Sequence, residues 1–185
     1  MSGSLKRALG MWLAAQVDGL NVYADDLANS KHRYPSCTLT ELAHVIEPVG
    51  CGRTDFVRRA EETGYVCAIG KLQHGEKQIR LTLSAPSVAA MHGQERVDVL
   101  LDEIESSVLL TTLSASPLVL VDTETDTPTR FGPLRIKPAG RQSVPVDTSG
   151  EPFLYRGALT LKLSFDLPIE APVEHVIERI HLETT

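Results

Sequence analysis

The chain has 185 residues and a formal net charge of −6, which suits one domain and excludes the basic surplus of a protein whose main partner is nucleic acid. Aromatic residues make up 5% of it, so the core must consist mainly of Leu, Val, Ile and Ala. Three widely spaced cysteines indicate reduced thiols of an intracellular protein rather than a disulfide framework: Cys37, Cys51 and Cys67.

The N-terminal segment predicts an amphipathic helix, with Ser4 as its N-cap and Gly19 as its stop. Its apolar face carries Leu5, Leu9, Trp12 and Leu13. The apolar run of residues 9–17 is interrupted by polar and small residues, and it is shorter than the roughly 20 residues of a membrane span. We therefore expect a soluble protein, made in a cytoplasm and without a targeting segment.

A polar connector, residues 24–34, leads to Pro35, which is suited to opening a strand but not to the middle of a central one. The run 37–49 fits both helical and strand spacing; we favour a strand near its start and leave the part beyond Leu42 open. Residues 50–63 contain two glycines and several arginines, and they predict a loop with a helical turn.

The middle of the chain predicts a β-hairpin followed by a long helix. Residues 65–72 and 78–83 form the two strands, and residues 73–77 form the turn between them. Apolar residues then recur at spacings of three and four, which places them on one face of a helix: Val97, Leu100, Leu101, Ile104 and Val108. A sheet and a helix with matched apolar faces predict a two-layer module.

The last third begins with a short buried strand at 118–121. Residues 122–153 are rich in proline and glycine, and we predict an extended loop or hairpin arm in which Phe131, Leu134 and Ile136 form a short strand. Residues 159–165 alternate cleanly as a strand that ends at Pro168. For residues 171–183 the pattern leaves helix and strand open.

These elements together predict a single α+β domain over residues 1–185. Its mixed or mainly antiparallel sheet is packed by the N-terminal helix and the long central helix, and residues 122–153 form an arm within it.

Residues 118–125 resemble the first signature of proofreading-type exonucleases, in which a hydrophobic strand delivers an aspartate and then a glutamate to two metal ions. Here those residues would be Asp122 and Glu124. The resemblance ends at residues 126–128, where the usual glycine is missing, and the late histidines, His175 and His181, are followed by no aspartate. We favour a strand that runs into a polar turn, and keep a metal-dependent exonuclease as the alternative.

Other catalytic patterns are absent from the sequence. The segment 50–54 lacks the length and lysine of a phosphate-binding loop, and no HExxH or Gly-x-Ser-x-Gly motif occurs. The spacing of His32, Cys37, His44 and Cys51 lacks the tight pairs of a zinc site. We therefore predict no catalytic residues, no cofactor and no metal, and a protein that is not an enzyme.

The order of the predicted elements, with Tyr34-Pro35 and Tyr155-Arg156-Gly157, resembles the tail-terminator and neck (head–tail joining) proteins of tailed bacteriophages and related contractile particles. The resemblance implies a structural virion protein that forms a hexameric ring at the end of the tail tube. Its partners would be other copies of the chain, the tail tube or sheath, and the neck or connector proteins. DNA would pass through without specific binding, and no membrane would be involved.

The same resemblance places the protein in the virion tail or neck, assembled in the host cytoplasm. Another neck ring, a baseplate component and a small binding module remain alternatives.

The arm carries four cations and no carboxylate between residues 127 and 146, in a chain that is acidic overall: Arg130, Arg135, Lys137 and Arg141. We predict that these side chains bind a partner, either a neighbouring subunit or an adjoining ring. A solvated loop is the alternative.

Overall fold

A computed structural model describes residues 2–24, 33–48, 53–58, 65–114, 117–123 and 128–170 of the chain. This part contains two helices and seven strands, and the predicted α+β class is confirmed. The elements are, in chain order, α1 (Ser2–Gln16), β1 (Asn21–Tyr23), β2 (Ser36–Pro48), β3 (Arg53–Arg58), β4 (Tyr65–Pro86), α2 (Gly93–Leu113), β5 (Leu118–Asp122), β6 (Thr129–Asp147) and β7 (Leu154–Glu170).

The chain divides into two compact units. The first consists of Met1–His44 and Glu76–Phe165, and the second of Val45–Gly75 and Asp166–Thr185. Across the sheet the strands follow the order β1-β2-β4-β7-β6-β5, and β3 pairs with β4 in addition. β1 is parallel to β2, whereas the β3–β4, β5–β6 and β6–β7 pairs are antiparallel.

One face of the sheet carries the core of the first unit. Alternate residues of β4 and β7 are fully buried there, as their two-residue period predicts: Ile79, Leu81, Leu83, Leu159, Leu161 and Leu163. The predicted stripe of α2 packs into the same cluster, and all five of its residues are buried: Val97, Leu100, Leu101, Ile104 and Val108. Each such side chain contributes about 1.5–3 kcal/mol on burial, so this face provides most of the apolar stabilisation of the unit.

Glycine lets α2 lie close to β7. A Cβ atom on Gly157 would stand 2.8 Å from Val97 Cγ1 and 2.9 Å from Leu101 Cδ1. At the start of the helix, a Cβ atom on Gly93 would stand 2.1 Å from the ring of Tyr155. A side chain larger than hydrogen at either position would push the helix from the sheet. The two glycines therefore fix which side of α2 faces inwards.

The N-terminal helix begins three residues earlier than predicted. α1 starts at Ser2, so Ser4 lies inside it and the prediction that Ser4 is the N-cap is wrong. Gly19 follows the helix with a φ of 70°, a left-handed conformation that favours glycine after a helix end. The predicted apolar face is confirmed: Leu5, Leu9 and Leu13 are buried and Trp12 packs partly buried against them.

The predicted hairpin over residues 65–83 is wrong, because β4 is one continuous strand through the supposed turn. Its polar residues find charged partners: Lys77 Nζ lies 3.5 Å from Glu41 Oε1, and Glu76 forms an ion pair with Lys162. A polar stretch that would favour a turn in isolation is thus stabilised as strand by residues distant in sequence.

The first half of β4 forms its hairpin with β3 instead. In the second unit β3 pairs antiparallel with residues 65–70, from Arg53 opposite Gly70 to Arg58 opposite Tyr65. The prediction of a loop with a helical turn over residues 50–63 is therefore wrong for β3. The run that sequence left open beyond Leu42 is strand as far as Pro48.

The predicted arm contains an interior strand. β6 is 19 residues long, much longer than the short strand predicted around Leu134, and it lies between β7 and β5. Leu134 and Ile136 are buried in the core. β7 continues past Pro168 to Glu170, and residues 171–183 lie outside the described part of the chain.

Candidate functional site

Asp122, the residue that suggested nuclease chemistry, ties α1 to the end of β5. Its side chain is fully buried, and the Arg7 guanidinium binds both carboxylate oxygens. Arg7 Nε lies 3.2 Å from Oδ1 and 3.0 Å from Oδ2, and Nη2 lies 2.7 Å from Oδ2. This forked geometry is the strong form of a carboxylate hydrogen bond. Both oxygens are therefore engaged in holding two elements together.

The second acidic residue of that signature, Glu124, lies outside the described residues. Within them, no three His, Cys, Asp or Glu side chains come together as a metal-binding group. Cys37 is a fully buried free thiol, and burial raises its pKa to about 12. A thiol so rarely ionised is a poor nucleophile, and Cys37 acts as a small apolar core residue.

The face of the sheet that points away from the core collects positive charge. On β6, Arg135 and Lys137 flank the buried Ile136, so their exposed side chains lie on the opposite face. Lys162 of β7 is directly opposite Lys137 in the strand register. Arg80 lies on the same face of β4, between two buried core residues. We call Arg80, Arg135, Lys137 and Lys162 the basic sheet face.

One carboxylate partly compensates this charge. Glu76 forms an ion pair with Lys162. The hydrogen bond between the two side chains lowers the pKa of Glu76, and the positive charge of Lys137 lowers it further. Two lysines directly opposite each other repel, since cross-strand like charges are destabilising. Arg80 adds a buried Nε atom with no hydrogen-bond partner among the described residues. The sheet thus holds a positive surface at a cost in stability.

The four predicted partner-binding cations do not lie on one surface. Arg135 and Lys137 belong to the basic sheet face, and Arg130 is exposed on the same side of β6, opposite Val121 in register. A β-bulge in β6 instead turns Arg141 towards α2, where its Nε donates to Glu105 Oε2 at 2.8 Å.

Arg141 also binds Asp102 on α2, and this contact, with that to Glu105, raises the arginine pKa. The structure therefore assigns Arg141 to the attachment of β6 to α2.

The outer stripe of α2 changes character along its length. Its first half exposes four carboxylates, which we call the acidic helix face: Glu95, Asp98, Asp102 and Glu103. Its last turns expose three leucines, which we call the apolar helix end: Leu109, Leu110 and Leu113, at 45%, 69% and 82% exposure. Between them a shallow groove of about 410 Å³ runs along α2 beside Gln16.

Sequence reasoning missed Arg80, Lys162 and the acidic helix face. The available signal was the alternation itself, because a cation at the polar positions of a half-buried strand must lie on the solvent face. Which strands are neighbours depends on the whole fold. The sequence therefore could not predict that Arg80 and Lys162 lie on the same face as the cations of β6.

No known family model and no curated protein sequence matches the chain. Neither described helix combines the length and apolarity needed to cross a membrane.

Proposed function

We propose that the chain is a structural protein of a tailed bacteriophage or related contractile particle. Six copies form a ring at the end of the tail tube, as a terminator or neck component, and join the tail to the head-side connector. The resemblance of its element order to that family motivates the proposal. The observation that carries it is the apolar helix end, because a self-assembling protein must expose the apolar surface that it later buries.

The apolar helix end has the properties of a subunit contact. Single exposed apolar residues are normal, but Leu109, Leu110 and Leu113 share one helix turn and expose between 45% and 82% of their surface. Contiguous exposed apolar patches mark interaction sites. This part of the molecule is therefore suited to burial against another copy.

The sheet offers further contact elements. β1 and β5 stand at the two ends of the strand order among the described strands. Terminal strands present backbone donors and acceptors to a neighbour. A closed ring needs two different patches on each subunit, since the same contact must repeat around the axis. A protomer with two sheet ends and an apolar helix end meets that requirement.

The charge of the chain suits a passage for DNA. Affinity for nucleic acid depends on the number of phosphates that Lys and Arg neutralise. A net charge of −6 on each subunit keeps that number low, so that DNA slides through without being held. In this proposal the protein acts by assembly alone, and Asp122 serves the fold.

Size-exclusion chromatography with light scattering tests the proposal. We expect the wild type to elute as a closed hexamer, and Leu110→Asp to shift it towards monomer with an unchanged circular dichroism spectrum. Val88→Asp is the matched control, because Val88 is exposed to 46% and lies outside α2. A wild type that is monomeric at every concentration would contradict the proposal.

A further inference from the structure

We propose that the acidic helix face of one protomer docks on the basic sheet face of the next. This inference rests on the proposed function, because it names the contact through which the ring closes. The occupant of the basic sheet face is thus a second copy of this chain. The argument uses the position, the charge and the spacing of the two surfaces.

The two surfaces lie on opposite sides of the same unit. α2 packs its inner stripe on the core face of the sheet, so its exposed acidic helix face lies on the helix side of the unit, where Arg141 reaches Asp102. Arg135 and Lys137 lie on the other face of the sheet. One protomer therefore cannot bring its own acidic helix face to its own basic sheet face. Opposite surfaces that match each other produce a head-to-tail contact, which closes into a ring or continues as a filament.

The charges of the two surfaces are complementary and incompletely neutralised within the protomer. Among the side chains that the structure describes, Glu76 is the carboxylate on this face, and it pairs with Lys162, one of the four cations. Of the four carboxylates on the helix, Asp102 is bound by Arg141, and Asp98 accepts a hydrogen bond from the neutral Gln94 at 3.1 Å. Glu95 and Glu103 are exposed. Contact between two copies would pair the carboxylates and cations that are not neutralised within one protomer.

The spacing of the charges also agrees. Alternate residues on a strand, such as Arg135 and Lys137, stand roughly 6.5 Å apart. Residues one turn apart on a helix, such as Asp98 and Asp102, stand about 6 Å apart along the axis. A helix laid on the strands can therefore place successive carboxylates beside successive cations.

Each of the two charged surfaces is bordered by exposed apolar residues, so the two surfaces are also complementary in their apolar parts. The helix stripe passes from carboxylates to the exposed Leu110 and Leu113. The open face of the sheet passes from the cations of β7 and β6 to the exposed Val119 of β5, the next strand in the order. Both surfaces thus run from charge to apolar side chains. Nucleic acid would match the cations but leave this apolar margin without a partner, so we favour a second copy.

Charge reversal tests the contact through two variants. In the sheet variant, Arg135→Glu with Lys137→Glu makes the open face acidic; in the helix variant, Glu95→Lys, Asp98→Lys and Glu103→Lys together make the helix stripe basic. All five residues are exposed, so both variants should fold, and the sheet variant, which removes the repulsion between Lys137 and Lys162, should melt no lower than the wild type. Each alone opposes like charges and should assemble about tenfold more weakly than wild type.

Mixing the variants is the decisive step. The reversed sheet face of one fits the reversed helix face of the other, and their unchanged surfaces also fit. The mixture should therefore form hexamers with three copies of each variant, resolved by native mass spectrometry, at a concentration where each variant alone is mostly dissociated. Arg33→Glu, an exposed reversal outside both surfaces, should assemble like the wild type.

The outcomes separate this inference from the proposed function. If the wild type forms rings and both variants do so equally well alone, the contact is wrong while the ring stands. A monomeric wild type overturns both. If the sheet variant assembles normally but loses affinity for a fluorescent DNA duplex that the wild type binds, the basic sheet face is a nucleic-acid surface and the inference fails.

Discussion

The two faces of the sheet in the first unit have opposite chemistry. The face under the helices is closed: its strand residues are almost completely buried, and its fully buried carboxylate, Asp122, is bound by Arg7. The other face is half-open and polar, with lysines directly opposite each other. The first arrangement stabilises the fold within one chain. In the proposed ring, the second supplies the charge for contacts between chains, so that stability and assembly are divided between the two sides of one sheet.

The largest effect should come from a cavity under the covered face. Leu101 is 3% exposed and packs over Gly157. Leu101→Ala should reduce the free energy of unfolding by about 2–5 kcal/mol, as truncations of buried leucines do. Urea denaturation measures this. Val88→Ala, which truncates an exposed side chain outside α2, should cost about 0.5 kcal/mol or less. Equal effects of the two variants would show that Leu101 is not buried under the covered face.

A second test concerns the buried charge of the covered face. Arg7→Met leaves the carboxylate of Asp122 buried without its guanidinium, and should cost about 3 kcal/mol. Asp122→Asn should cost less, about 1–2 kcal/mol, because the Arg7 side chain is 37% exposed and water can solvate it. Chemical denaturation of both variants gives the comparison. A smaller loss for Arg7→Met than for Asp122→Asn would contradict the assignment of Asp122 to the fold.

The nuclease alternative can be examined with the same protein. We expect wild-type chain incubated with single-stranded DNA and manganese to leave the DNA intact on a denaturing gel. Digestion that Asp122→Asn abolishes, in a variant shown to be folded, would overturn the structural role of this residue.

An intermediate effect should follow from crowding at the contact between helix and sheet. The methyl group of Gly157→Ala would stand within 3 Å of Val97 and Leu101, and overpacking of this kind costs about 1–3 kcal/mol. Thermal unfolding measures it. Gly150→Ala is the control, since a Cβ atom there meets nothing within 4 Å. If both substitutions leave the melting temperature unchanged, α2 does not lie on β7 as closely as described.

The smallest effect should appear on the open face, as a dependence on pH. The hydrogen bond from Lys162 lowers the pKa of Glu76 below its ordinary 4.5, so the ion pair stabilises the fold at pH values above 4.5. This stabilisation is lost as the pH falls through the lowered pKa. Glu76→Gln should therefore be slightly less stable than wild type at neutral pH, and the difference should disappear in acid. Urea midpoints across pH 3–7 test it. A difference that grows as the pH falls would contradict the sign.

The covered face was largely predictable from the sequence. The alternation around Leu161 and the helical spacing around Leu101 each require only neighbours in the chain, and both elements are found. The α+β class follows from them. The continuity of β4 was not predictable, because residues 73–77 look like a turn until Glu41 and Lys162 supply partners from other strands.

The open face was predictable only in part. The cations of β6 are visible as a run without carboxylates, yet sequence gave no reason to separate Arg141 from Lys137. A bulge between Pro138 and Gly140 makes that difference, since it shifts the strand by one position and turns Arg141 to the helix side. The charges that Arg80 and Lys162 add depend on the order of the strands, which is set by the whole fold.

The central claim is that the protein acts by closing a ring of identical copies. Native mass spectrometry of the purified wild type, with negative-stain images of the same sample, tests it most directly. The account predicts one dominant species of six 20.2 kDa chains, seen as sixfold rings. A single species of one chain, or images without closed rings at any concentration, would contradict it.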